Sequence, residues 1–199
     1  MRKLFKNIWF KCISVLLLII LVSGGLIAVL SDVLYVSPEE RTRRALVKIY
    51  GEEKPYSIVL DVDGVDGSMN SPINYEKGKI EKIFVIDKEN DGDENYDYIF
   101  KSTGYEGYKN GTITVWVKVS VSGENKTISK VILENYTKQT LMSKLGNGYY
   151  DAFLTDVTDG FFTADKDAEG NKNIVTGATK SATAGVNAVN CVIAYLGGE

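Results

Sequence analysis

Hydrophobic and polar positions change period along the chain, and each change marks a boundary. From Ile13 to Leu30, "ISVLLLIILVSGGLIAVL", there is no charged residue and no alternation. Taken back through Trp9 and Phe10, with Lys11 the one interruption, the run reaches about 20 residues, enough for a helix to cross a hydrocarbon core about 30 Å thick. Lys11 can snorkel to headgroups and Trp9 suits the interface. A cleaved signal peptide is the competing reading, but its core spans about 7–15 residues and ends in an A-x-A-like site. No clear site of that kind follows the run, nor does a lipobox cysteine. The expectation is a basic tail over 1–11, a transmembrane helix over 12–34, a juxtamembrane helix over 35–52 and a folded domain over 53–199.

After the apolar run the period becomes helical. In "SPEERTRRALVKIYG" Ser37 and Glu40 form a capping box, and Pro38 takes the first helical position. Ala45, Leu46 and Ile49 make the apolar stripe, and Gly51 is a C-terminal stop. The period then falls to two. Strands are predicted at 56–62, 79–86, 96–103, 111–121 and 126–136, from β-branched runs between Gly/Asn/Ser-rich turns. In "GTITVWVKVSV" Ile113, Val115, Val117, Val119 and Val121 share one face, with Trp116 and Lys118 on the other. "GEN" joins that strand to its hairpin partner. "KQTLMSKLG" and "GYYDAFL" read as short helices. Val186, Val189, Ile193 and Leu196 recur at helical spacing and predict a last helix from about Thr179 to Leu196. The order gives an α+β domain: an antiparallel sheet with flanking helices.

Charge sharpens this layout. The net charge is -3, yet Arg2, Lys3, Lys6 and Lys11 put +4 on residues 1–31, leaving -7 for the rest. A nucleic-acid binder would carry its positive charge on the folded domain, so that class is disfavoured. Basic residues before the apolar run and Asp32 after it put the N-terminus in the cytoplasm and the C-terminal domain outside the membrane.

The chain has no histidine, which removes Ser-His-Asp and Cys-His catalysis and histidine-ligated zinc or haem. The two cysteines, Cys12 and Cys191, lie in different environments and do not suggest a disulfide. Two acidic stretches imitate calcium loops. "DKENDGDENYDY", from Asp87, ends in Tyr98 where a bidentate glutamate is needed, and "DKDAEGNKNIVT" ends in Thr176. Both read as solvated acidic turns rather than metal sites.

The stretch "NIVTGATKSATAGVNAV" crowds Thr176, Thr179, Ser181 and Thr183 among glycines and alanines just as the last helix begins. A helix N-terminus offers unpaired N–H groups and the positive end of a dipole, a favourable place for phosphate. A hydroxyl there can cap the helix, bind a phosphate or carry one covalently, while the small residues clear space.

Thr176 to Ser181, "TGATKS", is similar to the S-G-A-T-x-T motif of the FMN-binding domain family. That family includes the FMN-bearing membrane-anchored subunits of the Rnf electron transport complex and of the Na+-translocating NADH:quinone oxidoreductase. The order of span, juxtamembrane helix, Gly-Tyr-x-Gly segment (Gly104 to Gly107) and hairpin also resembles it, and the total length is closer to the Rnf member. The resemblance implies FMN joined through a phosphoester, made by a flavin transferase, to Ser181, which stands for the family's threonine. Thr176, Gly177, Ala178, Thr179 and Lys180 would border the phosphate and ribityl chain. The family's Glu-Thr-Pro-Gly-Leu-Gly segment falls on "KQTLMSKLG", where Thr140 matches and Gln139 replaces glutamate; Thr140 and Leu141 would approach the flavin. Tyr136, Met142 and Trp116 are further candidates beside the ring.

The expected function is therefore an electron-carrying, membrane-anchored flavoprotein subunit of an ion-translocating oxidoreductase of the Rnf type. Its expected partners are the bilayer, other membrane subunits and the transferase. Membership in the quinone oxidoreductase, a stand-alone extracellular electron shuttle, and an anchored adhesion protein with a merely capped helix are the alternatives.

Overall fold

The computed structural model describes residues 8–34, 36–63, 71–87, 95–146, 148–165 and 173–198. Both acidic stretches lie largely outside the described residues. The chain divides into two units, Met1–Arg41 and Thr42–Glu199.

The first unit contains α1 (Ile8–Leu34) and the first turn of α2 (Pro38–Tyr50). The described large apolar side chains of α1, from Trp9 to Leu30, are exposed to their surroundings. Ser23 Oγ donates back to Ile19 O at 2.7 Å, so the helix satisfies its own hydroxyl. Among the described residues no helix is long and apolar enough to cross a membrane, so the expected span over 12–34 is not met there. α2 starts as its capping box dictates: Ser37 Oγ accepts from the backbone N–H of Glu40 at 3.2 Å.

The second unit is α+β. Its sheet comprises β1 (Ser57–Asp61), β2 (Ile73–Tyr75), β3 (Gly78–Asp87), β4 (Asn95–Gly104), β5 (Ile113–Ser122) and β6 (Asn125–Tyr136). All pairings are antiparallel. β3 to β6 form a meander, and β1 and β2 follow one another along the outer edge of β3. The three-residue β2 was not anticipated; it is too short for any period to show. The β5–β6 hairpin turns at Gly123, whose φ of +59° suits a residue without Cβ.

Strand alternation builds two cores. Val115, Val117, Val119 and Phe100 face α3 (Thr179–Tyr195), which crosses β3, β4 and β5. Trp116, Phe84 and Ile99 face the other way and pack on Ala45, Leu46 and Ile49 of α2. The stripe that predicted α2 thus belongs to the domain core. Lys130 Nζ donates to Lys48 O and Ile49 O at the C-terminal end of α2, and Lys126 Nζ donates to Leu196 O after α3. Both cations meet the negative end of a helix. The segments expected as short helices are 3-10 turns at Met142–Lys144 and Tyr150–Phe153, with a third at Val157–Asp159. Their glycine-interrupted windows are too short to sustain an α-helix.

Small residues seat α3 tightly on the sheet. Ser102 Oγ donates to Ala188 O at 2.7 Å in the buried contact. Cys191 is buried beside Gly78, and its burial pushes the thiol up to about 11, against a smaller opposing effect of the Ser102 hydrogen bond. A group whose folded pKa lies above its unfolded value of 9.0 stabilises fully below pH 9 and loses that contribution as pH rises to about 11. Tyr150, pushed by burial from 10.0 to about 12, extends the loss upward. Urea unfolding midpoints are therefore expected to fall from pH 9 upward, and Cys191→Ala is expected to flatten the first part of that fall. An unchanged slope between pH 9 and 10 in the variant would refute the assignment.

Candidate functional site

The turn before α3 is set by its residues. Ala178 N donates to Val175 O at 2.9 Å, closing a turn with Gly177 in third position at φ +82°. Such a turn needs a residue tolerant of positive φ there. The N-cap position falls on Ala178, and no side chain caps the helix. The reading of the hydroxyls as caps is thereby corrected: Thr183 Oγ1 instead donates to Thr179 O within the helix, at 3.0 Å. The first-turn N–H groups of α3 receive no capping oxygen from the N-cap side chain, which leaves them for an anion.

A cleft of about 300 Å³ opens at this turn, lined by Tyr108, Thr140, Leu141, Gly177, Ala178, Thr179, Lys180 and Ser181. That volume is at the lower end of small-ligand pockets. Seven of the eight residues proposed from sequence border it; Thr176 lies exposed in the turn and does not. Tyr108, Thr140, Leu141 and Lys180 are at least partly exposed around it, whereas Ser181 is only 2% exposed. Lys144 adds a second cation. Its Nζ lies 3.2 Å from the point a Cβ on Gly177 would occupy, directly against the turn.

Three expected neighbours are elsewhere. Trp116 is in the α2-side core with its Nε1 donating to Glu134 at 2.9 Å, because strand alternation turns it away from α3. Tyr136 and Met142 do not border the cleft. Sequence reading missed Tyr108, Lys144 and the part played by Gln139.

Gln139 is the inner wall behind Ser181. Its Oε1 accepts from Ser181 Oγ at 2.7 Å and from the Tyr108 backbone N–H at 3.1 Å. The Tyr108 donor fixes which end of the amide is the oxygen. The Gly-Tyr-x-Gly segment makes room for it: a Cβ on Gly107 or Gly111 would collide with Gln139 Nε2, at 2.6 Å for Gly111. The same region holds every non-glycine residue of positive φ among those described: Glu106, Lys109, Asn110 and Lys138. Such conformations are unfavourable for side-chain-bearing residues and gather where a site dictates the backbone.

The cleft thus offers a serine hydroxyl, the Lys180 ammonium with that of Lys144 against the adjoining turn, uncapped helical N–H groups and an apolar edge at Leu141 and Tyr108. That donor set fits a phosphate carrying a planar group. The one misfit is access, since Ser181 Oγ is engaged with Gln139 and covered. No group of three or more acidic or cysteine side chains able to hold a metal occurs among the described residues. Comparisons with known protein families, curated proteins and solved structures give no match to this chain.

Proposed function

We propose that the protein is a membrane-anchored electron carrier, with FMN joined through a phosphoester to Ser181, acting as the redox subunit of an ion-translocating oxidoreductase complex of the Rnf type. The observation that carries this reading is that two segments far apart in sequence, 140–141 and 177–181, border one cleft. Those are the segments that the family resemblance assigns to the flavin.

Each residue has a physical task in this reading. Ser181 supplies the ester oxygen. Lys180, Lys144 and the first-turn N–H groups of α3 hold the phosphate charge. Leu141 and Tyr108 offer apolar and aromatic surface to the ring. When bound, the flavin supplies the one- and two-electron chemistry, so the chain needs no histidine or acid–base pair. The tether keeps a small anionic cofactor from diffusing away outside the cell. The anchor is α1, whose exposed apolar side chains and self-satisfied Ser23 suit a lipid environment. The basic tail stays in the cytoplasm and the domain outside, beside other membrane subunits.

The test is co-expression of the full chain with a flavin transferase, followed by membrane fractionation and peptide mass spectrometry. The expected result is membrane-bound protein with one FMN-phosphoryl group on the Ser181 peptide. Protein that remains unmodified under conditions that load a known transferase substrate would overturn the reading.

A further inference from the structure

Gln139 is costly to the fold. It is 7% exposed, and its Nε2 has no hydrogen-bond partner among the described residues. A buried amide N–H without a partner is destabilising, by about 1–3 kcal/mol. An aliphatic side chain of similar size would remove that unpaired N–H, at the expense of the acceptor that serves Ser181 Oγ and the Tyr108 N–H. Yet the surroundings hold this amide in place from several directions. Gly107 and Gly111, where a Cβ would strike its nitrogen, leave the space that the amide fills, and the Tyr108 N–H grips its oxygen. Thr112 and Thr137 then clamp the segment entering Gln139: the Thr112 N–H donates to Thr137 Oγ1 and the Thr137 N–H to Thr112 O, both at 3.0 Å. What the arrangement secures is one acceptor facing Ser181 Oγ at 2.7 Å.

We propose that Gln139 is the positioning residue for the attachment of FMN: it draws the Ser181 hydroxyl hydrogen toward itself and leaves the lone pairs of Oγ for the incoming phosphorus. The inference rests on the reading of Ser181 as the attachment site. Ser181 Oγ bonds to the phosphorus of a flavin phosphoanhydride presented by the transferase. The bond from that phosphorus to the bridging oxygen breaks, and the other phosphate leaves with it. The hydroxyl proton passes to a base of the transferase, because a neutral amide accepts a hydrogen bond but not a proton. Holding the nucleophile in one orientation removes rotational freedom before the reaction. The shared acceptor also couples Ser181 to the strained Tyr108 turn, so the two sides of the cleft are registered by one atom.

The experiment measures the initial rate of covalent flavin incorporation into the full chain by intact-mass spectrometry, beside urea unfolding of the unmodified protein. Gln139→Leu removes the acceptor and the unpaired amide together. It is expected to lower the unfolding midpoint, because the Ser181 hydroxyl and the Tyr108 N–H lose their acceptor, and to slow loading about 10–100-fold, the scale of a misplaced reacting group, under conditions where the variant is fully folded. Gln139→Glu keeps an acceptor for both Ser181 and Tyr108 and is expected to restore loading to within about threefold of the parent chain. A merely structural Gln139 would give a leucine variant that, assayed where it is fully folded, loads at the parent rate despite its lower unfolding midpoint. Loading of Gln139→Leu at the parent rate overturns the inference, as does a folded Gln139→Glu that loads as slowly as Gln139→Leu. A parent chain that takes up no flavin overturns the attachment reading itself, and the inference with it.

Discussion

Ser181→Ala is expected to leave the protein folded and without any covalent flavin. Stability changes little because two small effects oppose. The variant loses one buried hydrogen bond, worth about 0.5–1.5 kcal/mol, but Gln139 Oε1 still accepts from the Tyr108 N–H. Alanine meanwhile favours the helix more than serine by a few tenths of a kcal/mol, roughly. Loading falls completely because no neighbouring hydroxyl substitutes for the lost oxygen. Thr183 Oγ1 is engaged with Thr179 O, and Thr179 sits two residues earlier on the helix, about 200° around it. Ser181→Thr restores the residue found in the similar family at the expense of one methyl in a site that is 2% exposed. It is expected to load, with a stability loss of about 1 kcal/mol from crowding. Peptide mass spectrometry decides: flavin on Thr179 or Thr183 of the alanine variant would remove Ser181 from its role.

The fold was legible where side-chain period and burial coincide. Val115, Val117 and Val119 alternate with Trp116 in the sequence because β5 is sandwiched between α3 and α2, and the sheet position follows from that pattern alone. Val186, Val189 and Ile193 announced α3 for the same reason. The cleft was legible only through short motifs, and only in part. Thr140 and Leu141 were matched to it, but Tyr108 was not, since its place depends on a backbone path through Glu106, Lys109 and Asn110 at positive φ. Nothing in those three residue types demands that path. Lys144 was missed because its amine meets Gly177 from more than thirty residues away in sequence. The burial of Ser181 was hidden for a related reason. A serine in the first turn of a helix is ordinarily near solvent, whereas here its hydroxyl is buried against the non-local Gln139.

Gly104→Ala is expected to be the most destabilising single-methyl change in the domain. A Cβ at this position would fall well inside van der Waals contact of Ala184 O and Ala188 N, and 3.0 Å from the Ala184 carbonyl carbon. All three are backbone atoms of α3, so no side chain can rotate away. The helix would have to lift from β4. Lifting it would stretch the buried bond from Ser102 Oγ to Ala188 O and the bond from Asn187 Nδ2 to Tyr105 O, at 2.7 and 3.0 Å. Overpacking alone costs about 1–3 kcal/mol, and the two strained bonds bring the expected loss to about 3 kcal/mol or more. For a domain of this size that corresponds to a fall in melting temperature of roughly 6–12 °C. Gly148→Ala, where a Cβ meets nothing within 4 Å, is the matched control and is expected to shift melting by no more than about 2 °C. Because the same helix carries Ser181 at its start, a lifted α3 also withdraws the hydroxyl from Gln139, which lies in the loop after β6. Flavin loading of Gly104→Ala is therefore expected to fall even at temperatures where the variant remains folded. A variant that melts with the parent chain would show that α3 does not approach β4 through this glycine, and would remove the packing argument for how the site is held.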